Sequence, residues 1–154
     1  MQLSKDDCFH FFAPYLALHG FQYHASYNQY RRPFTEQEGF QTIILSVTPY
    51  DDELILEFFI GVRHTALEQM IYRLTNGFVN YAPHSTSVVL SIAKLSKKGR
   101  PWRATVKTVE DLETVWLTLE MLLDDFGWEH LEVVSELKEL ERLFNAIPLD
   151  LSLQ

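Results

Sequence analysis

FQTIILSVTPYDDELILEFFIGVR, residues 40–63, decides the fold class. Phe40 to Thr48 is a run rich in β-branched residues. From Leu54 to Arg63, Leu54, Leu56, Phe58, Ile60 and Val62 fall at every second position and share one face. A period of two belongs to a strand with one buried side. Between the runs lies PYDDE, where Asp favours tight turn geometry. Two strands joined by so short a return pair antiparallel.

The residues before this hairpin add a third strand and a helix. FQYHASYNQYRR, Phe21 to Arg32, alternates Phe21, Tyr23, Ala25 and Tyr27 with Gln22, His24, Ser26 and Asn28. That pattern predicts one strand with an apolar and a polar face. Polar turn residues fill Pro33 to Gly39. Upstream, Ser4 and Asp7 form an S-x-x-D capping box. Phe9, Phe12 and Leu16 follow at helical spacing, joined by Cys8 and Tyr15. Pro14 predicts a kink or break, and Gly20 a C-terminal cap.

On the other side, Thr65 and Glu68 suggest a second capping box. Leu67, Met70, Ile71 and Leu74 form its helical stripe, and Asn76-Gly77 stops it. STSVVLSIAKL and WRATVKT read as fourth and fifth strands around a KKGRP turn. Thr108 and Asp111 cap a third helix to about Phe126, with Leu112, Val115, Trp116, Leu119, Leu122 and Leu123 inward. Gly127 is expected to break it. Ser135 is expected to start a last helix with Leu137, Leu140, Leu143 and Phe144 on one side. The order α-β-β-β-α-β-β-α-α predicts an α+β domain, an antiparallel five-stranded sheet with helices packed on one face. Residues 1–147 form the single domain and 148–154 a loose tail.

The chain of 154 residues is long enough to bury a core without staples. Its single cysteine, Cys8, cannot form an internal disulfide and is expected buried and idle. Asp6 and Asp7 stand where a signal peptide carries positive charge. No apolar run approaches the roughly 20 residues that span a bilayer. These features predict a cytoplasmic protein with no membrane partner. Charge is uneven: residues 1–107 hold 11 Lys and Arg against 9 Asp and Glu, and residues 108–154 hold 2 against 12. That balance argues against general nucleic-acid binding, which needs a basic surface. It leaves room for a basic partner at the acidic end.

Familiar catalytic signatures are missing from the sequence. There is no G-x-x-x-x-G-K-[ST], G-x-G-x-x-G, G-x-S-x-G or H-E-x-x-H. The six histidines lack metal-ligand spacing. Asp51-Asp52-Glu53 fits a turn, and Asp124-Asp125 closes a helix. Neither reads as an acid–base pair. Trp102 among Lys94, Lys97, Lys98, Arg100, Arg103 and Lys107 is a stacking candidate for nucleic acid, yet a charged hairpin equally guards a sheet edge. No catalytic residue, metal or cofactor is expected. One ligand-binding set stands out: His24, Tyr27, Tyr30, Arg31 and Arg63, in which two arginines near tyrosines suit a carboxylate or phosphate.

The element order from Ser4 to Phe126 resembles the secretion-chaperone fold of class I type III secretion chaperones and YbjN-like bacterial proteins. The resemblance implies a homodimer that holds an extended partner segment on sheet and helix surfaces. Trp128 to Asn145 departs from that pattern. LHGFQYHASYNQYRR, FFIGVR, VEDLETVWLTLEMLLDDFG and SELKELERLFN are similar to small bacterial domains of unknown function. Some of those look like immunity or interaction proteins, and no functional residue carries over from them. The sequence thus predicts a non-enzymatic protein-interaction module, chaperone-like or immunity-like, with an unidentified partner protein. The alternative is a small-ligand binder or enzyme with a pocket between sheet and helices.

Overall fold

The computed structural model describes residues 2–35, 37–74, 88–92 and 102–136; side chains of 70–74 and 88 are outside that set. The chain runs α1 (Lys5–Ala17), β1 (Gln22–His24), β2 (Gln29–Pro33), β3 (Gly39–Tyr50), β4 (Glu53–His64), α2 (Thr65–Leu74), β5 (Val88–Ser91), β6 (Ala104–Val106), α3 (Val109–Leu122) and α4 (Trp128–Ser135). The fold is α+β, as expected. The expectations for the Asn76-Gly77 stop, the KKGRP turn, the stripe positions Met70, Ile71 and Leu74, the last helix and the tail lie outside the described residues.

The hairpin read first in the sequence is the spine of the sheet. β3 and β4 pair antiparallel from Gly39↔His64 to Tyr50↔Glu53. Asp51 and Asp52 form the loop, and Asp51 takes a left-handed backbone with φ 52°. Asp tolerates that conformation better than most residues. β2 pairs with β3, and β1 with β2. On the far side, β5 pairs with the Phe59–Val62 half of β4 and β6 with the Leu54–Leu56 half. One long strand therefore carries two short ones in tandem.

Among the described residues the sheet has six strands rather than five. The single strand expected over Phe21–Arg32 is a hairpin. A 3₁₀ turn at Ala25–Tyr27 and Asn28 at φ 52° reverse the chain. Alternation continues through ASYN only by coincidence, because Ser and Asn, the polar members of the pattern, are also good turn residues.

Cross-strand partners share a face, so the register assigns every side chain. One face carries Tyr23, Tyr30, Ile43, Leu45, Val47, Leu54, Leu56, Phe58, Ile60 and Val106. These pack with Phe9, Phe12 and Leu16 of α1, Leu112 and Leu119 of α3, and Leu131 of α4 into one core. The Phe12 ring meets Phe58 edge-on at 5.2 Å, and Tyr15 stacks on Trp116 at 4.8 Å. α1, α3 and α4 cover this face.

Helix ends follow their expected chemistry at several places. Asp7 N donates to Ser4 Oγ at 3.1 Å and Ser4 N to Asp7 Oδ2 at 2.9 Å. Thr108 and Asp111 repeat the box at 3.0 and 3.2 Å. After α1, Gly20 adopts φ +85°, with Gly20 N–H on the Ala17 carbonyl and Phe21 N–H on the Leu16 carbonyl. That is a Schellman motif closed by an apolar contact side.

Three helix expectations are corrected. The break offered at Pro14 does not occur: α1 continues to Ala17, and Pro14 lies on the exposed side, as does His10, whose carbonyl loses its partner to the ring. Gly127 does not break the third helix. It keeps helical angles (φ −68°, ψ −49°) inside a π-helical turn, Leu123–Gly127, that joins α3 to α4. Ser135 ends α4 rather than starting a helix, and Glu136 is extended (φ −78°, ψ 119°).

Candidate functional site

The five residues singled out in the sequence divide between the two faces of the sheet. Tyr30 lies on the core face, fully buried, and its hydroxyl donates to the Phe9 carbonyl at 2.6 Å. Burial drives its pKa far up, with Tyr23 and Cys8 adding to the shift. It is a structural tie between β2 and α1. His24, Arg31 and Arg63 belong to the opposite, outer face by register. Tyr27 sits in the β1–β2 turn and meets Arg31 from there. The polar row expected at Gln22, His24, Ser26 and Asn28 is cut short, since Ser26 and Asn28 are in or beside the turn.

Arg31 is held by rings. Its guanidinium lies 4.5 Å from the Tyr27 ring centroid and 4.2 Å from that of Phe40. Stacking on two π faces suits a planar, weakly hydrated cation. Nε donates to Gln29 Oε1 at 3.1 Å, and Thr42 Oγ1 donates to the same oxygen at 3.2 Å. Only 6% of Arg31 and 2% of Arg63 is exposed. Burial lowers the Arg31 pKa most; Tyr27 raises it, and the nearby Arg63 charge lowers it again.

Beyond this clamp the described side chains of the outer face are more accessible than Arg31, Thr42 and Arg63. Ile44 stands opposite Phe59, and Phe59 opposite Ser91. Ser46 faces Glu57, and Thr48 faces Ile55, which also faces Thr105. Ile44, Phe59 and Ile55 are half-buried, Thr48 and Thr105 exposed, and Val89 is 49% exposed. This stretch of the face therefore carries an apolar group of Ile44, Phe59 and Val89 beside Ser91, then Ser46 and Glu57, the latter paired with Arg103, and then Ile55 among Thr48 and Thr105.

Two hollows among the described residues lie elsewhere. One of about 210 Å³ is lined by Trp102, Ala104, Asp111, Thr114, Val115 and Thr118 among others. The other, about 480 Å³, lies along Ala13, Pro14, Ala17 and Gly20 to Tyr23. The five candidate residues do not come together in either one. Among the described residues, no group of three or more His, Cys, Asp or Glu is placed to hold a metal ion. Cys8 is fully buried, and burial raises its thiol pKa to about 11, so it stays a protonated, unreactive thiol at neutral pH.

The basic, aromatic run near 100 is partly spent on structure. Trp102 stacks on Phe58 at 5.8 Å. Arg103 pairs with Glu57 at 3.2 Å, and Lys107 with Asp52 and Glu53 at 3.3 and 3.4 Å. These links staple β6 to β4. Lys94, Lys97, Lys98 and Arg100 lie outside the described residues.

Two surface residues escaped the sequence reading. Leu117 and Met121 of α3 are 65% and 54% exposed. The signal was present: in LTLEML they fall one turn apart and off the inward stripe. No helix of the described residues is long and apolar enough to cross a membrane.

No family model, curated protein or solved structure matches the chain.

Proposed function

We propose that this protein is a non-enzymatic protein-interaction module whose open sheet face receives a partner protein. The supporting observation is the Ile44–Phe59 pair with the exposed Val89 beside it, bordered by Ser46, Ser91 and Glu57, with a further apolar residue, Ile55, beyond Glu57. An apolar centre inside a polar rim is the anatomy of a protein–protein contact. Sheet faces that only meet solvent carry polar side chains at such positions.

The rival reading, a small-ligand or enzymatic pocket between sheet and helices, loses its main candidate constellation. Tyr30 is engaged with the Phe9 carbonyl on the face opposite to Arg31 and Arg63.

The test is photo-crosslinking in the native host from Ser46 and Ser91 on the open face, with Leu18, highly exposed on the helical side, as control. A discrete protein adduct from Ser46 and Ser91 and not from Leu18 is expected. Its mass tells a partner protein from a second copy of the chain, the homodimer. No adduct, or equal adducts from all three positions, overturns the proposal.

A further inference from the structure

Between Thr108 and Glu136 the chain holds nine Asp and Glu and no Lys or Arg. On α3 this charge is organised around an apolar patch. Leu117 and Met121, one turn apart, project outward at 65% and 54% exposure. Glu110, Glu113 and Asp124 share their side of the helix, with Glu120 at its margin, as the 100° step per residue dictates. The inner side is fully used: Leu112, Val115, Trp116, Leu119 and Leu122 are buried. Salt bridges among the described residues engage Asp52, Glu53 and Glu57, and none involves these helical carboxylates. Asp124 accepts a hydrogen bond from Trp128 Nε1 at 3.0 Å, which fixes one carboxylate at the patch edge.

We propose that the outward face of α3 docks a basic, amphipathic helical segment of a partner protein. The apolar side of such a segment would cover Leu117 and Met121, and its Lys and Arg would meet the flanking carboxylates. Met adapts its shape to different apolar partners, and charge complementarity adds orientation and speed of encounter. A helix laid on a helix reads out residues at i and i+4, the spacing of Leu117 and Met121. The same charge disfavours a second copy of this face, because its carboxylates would meet their own kind. This surface lies on the helical side of the molecule and stands independently of the sheet-face proposal.

The experiment titrates the full chain with a synthetic amphipathic Leu–Lys helical peptide and with a scrambled peptide of equal composition. Measurements are by calorimetry, with NMR mapping of the perturbed residues. The amphipathic peptide is expected to bind at α3 at least about tenfold more tightly than the scrambled one, a ratio worth about 1.4 kcal/mol. The double substitution Leu117→Ser with Met121→Ser is expected to reduce binding about tenfold while the melting temperature stays put, both side chains being solvent-facing. Glu113→Gln with Glu120→Gln is expected to weaken binding and flatten its salt dependence. Equal binding of the two peptides, perturbations away from α3, or indifference to the Leu117 and Met121 substitutions overturns the proposal.

Discussion

Arg31 and Arg32 are neighbours on one strand and have opposite fates. Arg32 faces the helices. Its Nε donates to Gln41 Oε1 at 2.7 Å, one terminal nitrogen to the His19 carbonyl at 2.8 Å, and its guanidinium lies 4.7 Å from the Phe21 ring. Gln41 in turn donates to Ser135 Oγ at 2.7 Å, and Ser135 Oγ bonds the Leu131 carbonyl. One cation thus ties the end of α1, β2, β3 and the end of α4. Arg31 faces the other way and is gripped by Tyr27 and Phe40, rings of the turn and of β3. The difference teaches that residue type does not say which use a side chain serves. The face does, and the face follows from strand parity.

That contrast predicts a hierarchy of effects. The largest belongs to Gly39, at the start of β3. Its φ of +137° strains any L side chain, and an added Cβ would sit 1.9 Å from the Arg63 carbonyl oxygen. Gly39→Ala is expected to cost more than about 3 kcal/mol in chemical denaturation, because a backbone atom cannot yield as a side chain can. A loss under about 1 kcal/mol would mean that the β3–β4 register here is wrong.

Next comes Arg32→Ala, expected to cost about 2 kcal/mol by leaving Gln41 and the His19 carbonyl without their donor. A smaller loss than that of Arg31→Ala would reverse the assignment of roles to the two faces.

A milder effect concerns pH. His64 is 1% exposed and stacks on Phe34 at 4.7 Å, and the backbone of Val134 and Ser135 favours its charged form less than burial opposes it. Burial holds its pKa below the usual 6.5. The unfolded chain therefore takes up the proton first, and stability is expected to fall as pH drops below 6.5. The slope from one such group is at most about 1.4 kcal/mol per pH unit. Melting curves across this range should flatten in His64→Gln; an unchanged slope would remove His64 as the cause.

How much of this was legible beforehand follows from the same parity argument. The hairpin over 40–63 was readable because five apolar residues at alternate positions allow one register only. The capping boxes at Ser4 and Thr108 were readable because they are local, needing a hydroxyl and a carboxylate three residues apart. The turn inside Phe21–Arg32 was not, because its residues fit both strand alternation and a turn. Gly127 misled for another reason: packing of Leu123 and Leu131 into the core carries the helix through a poor helix former. Of the candidate set, Arg31 and Tyr27 meet while Tyr30 lies on the other face, because residues one apart on a strand cannot share a face.

The most direct test of the claim that the open sheet face is an interaction surface uses Ile55→Lys with Val89→Lys. Both positions lie on that face, and a lysine stem can lie along it with the charge in water. Affinity for the partner captured by crosslinking is measured alongside the melting temperature. The account predicts at least about a tenfold loss of affinity with an unchanged melting temperature. Unchanged affinity in a folded double variant would contradict it.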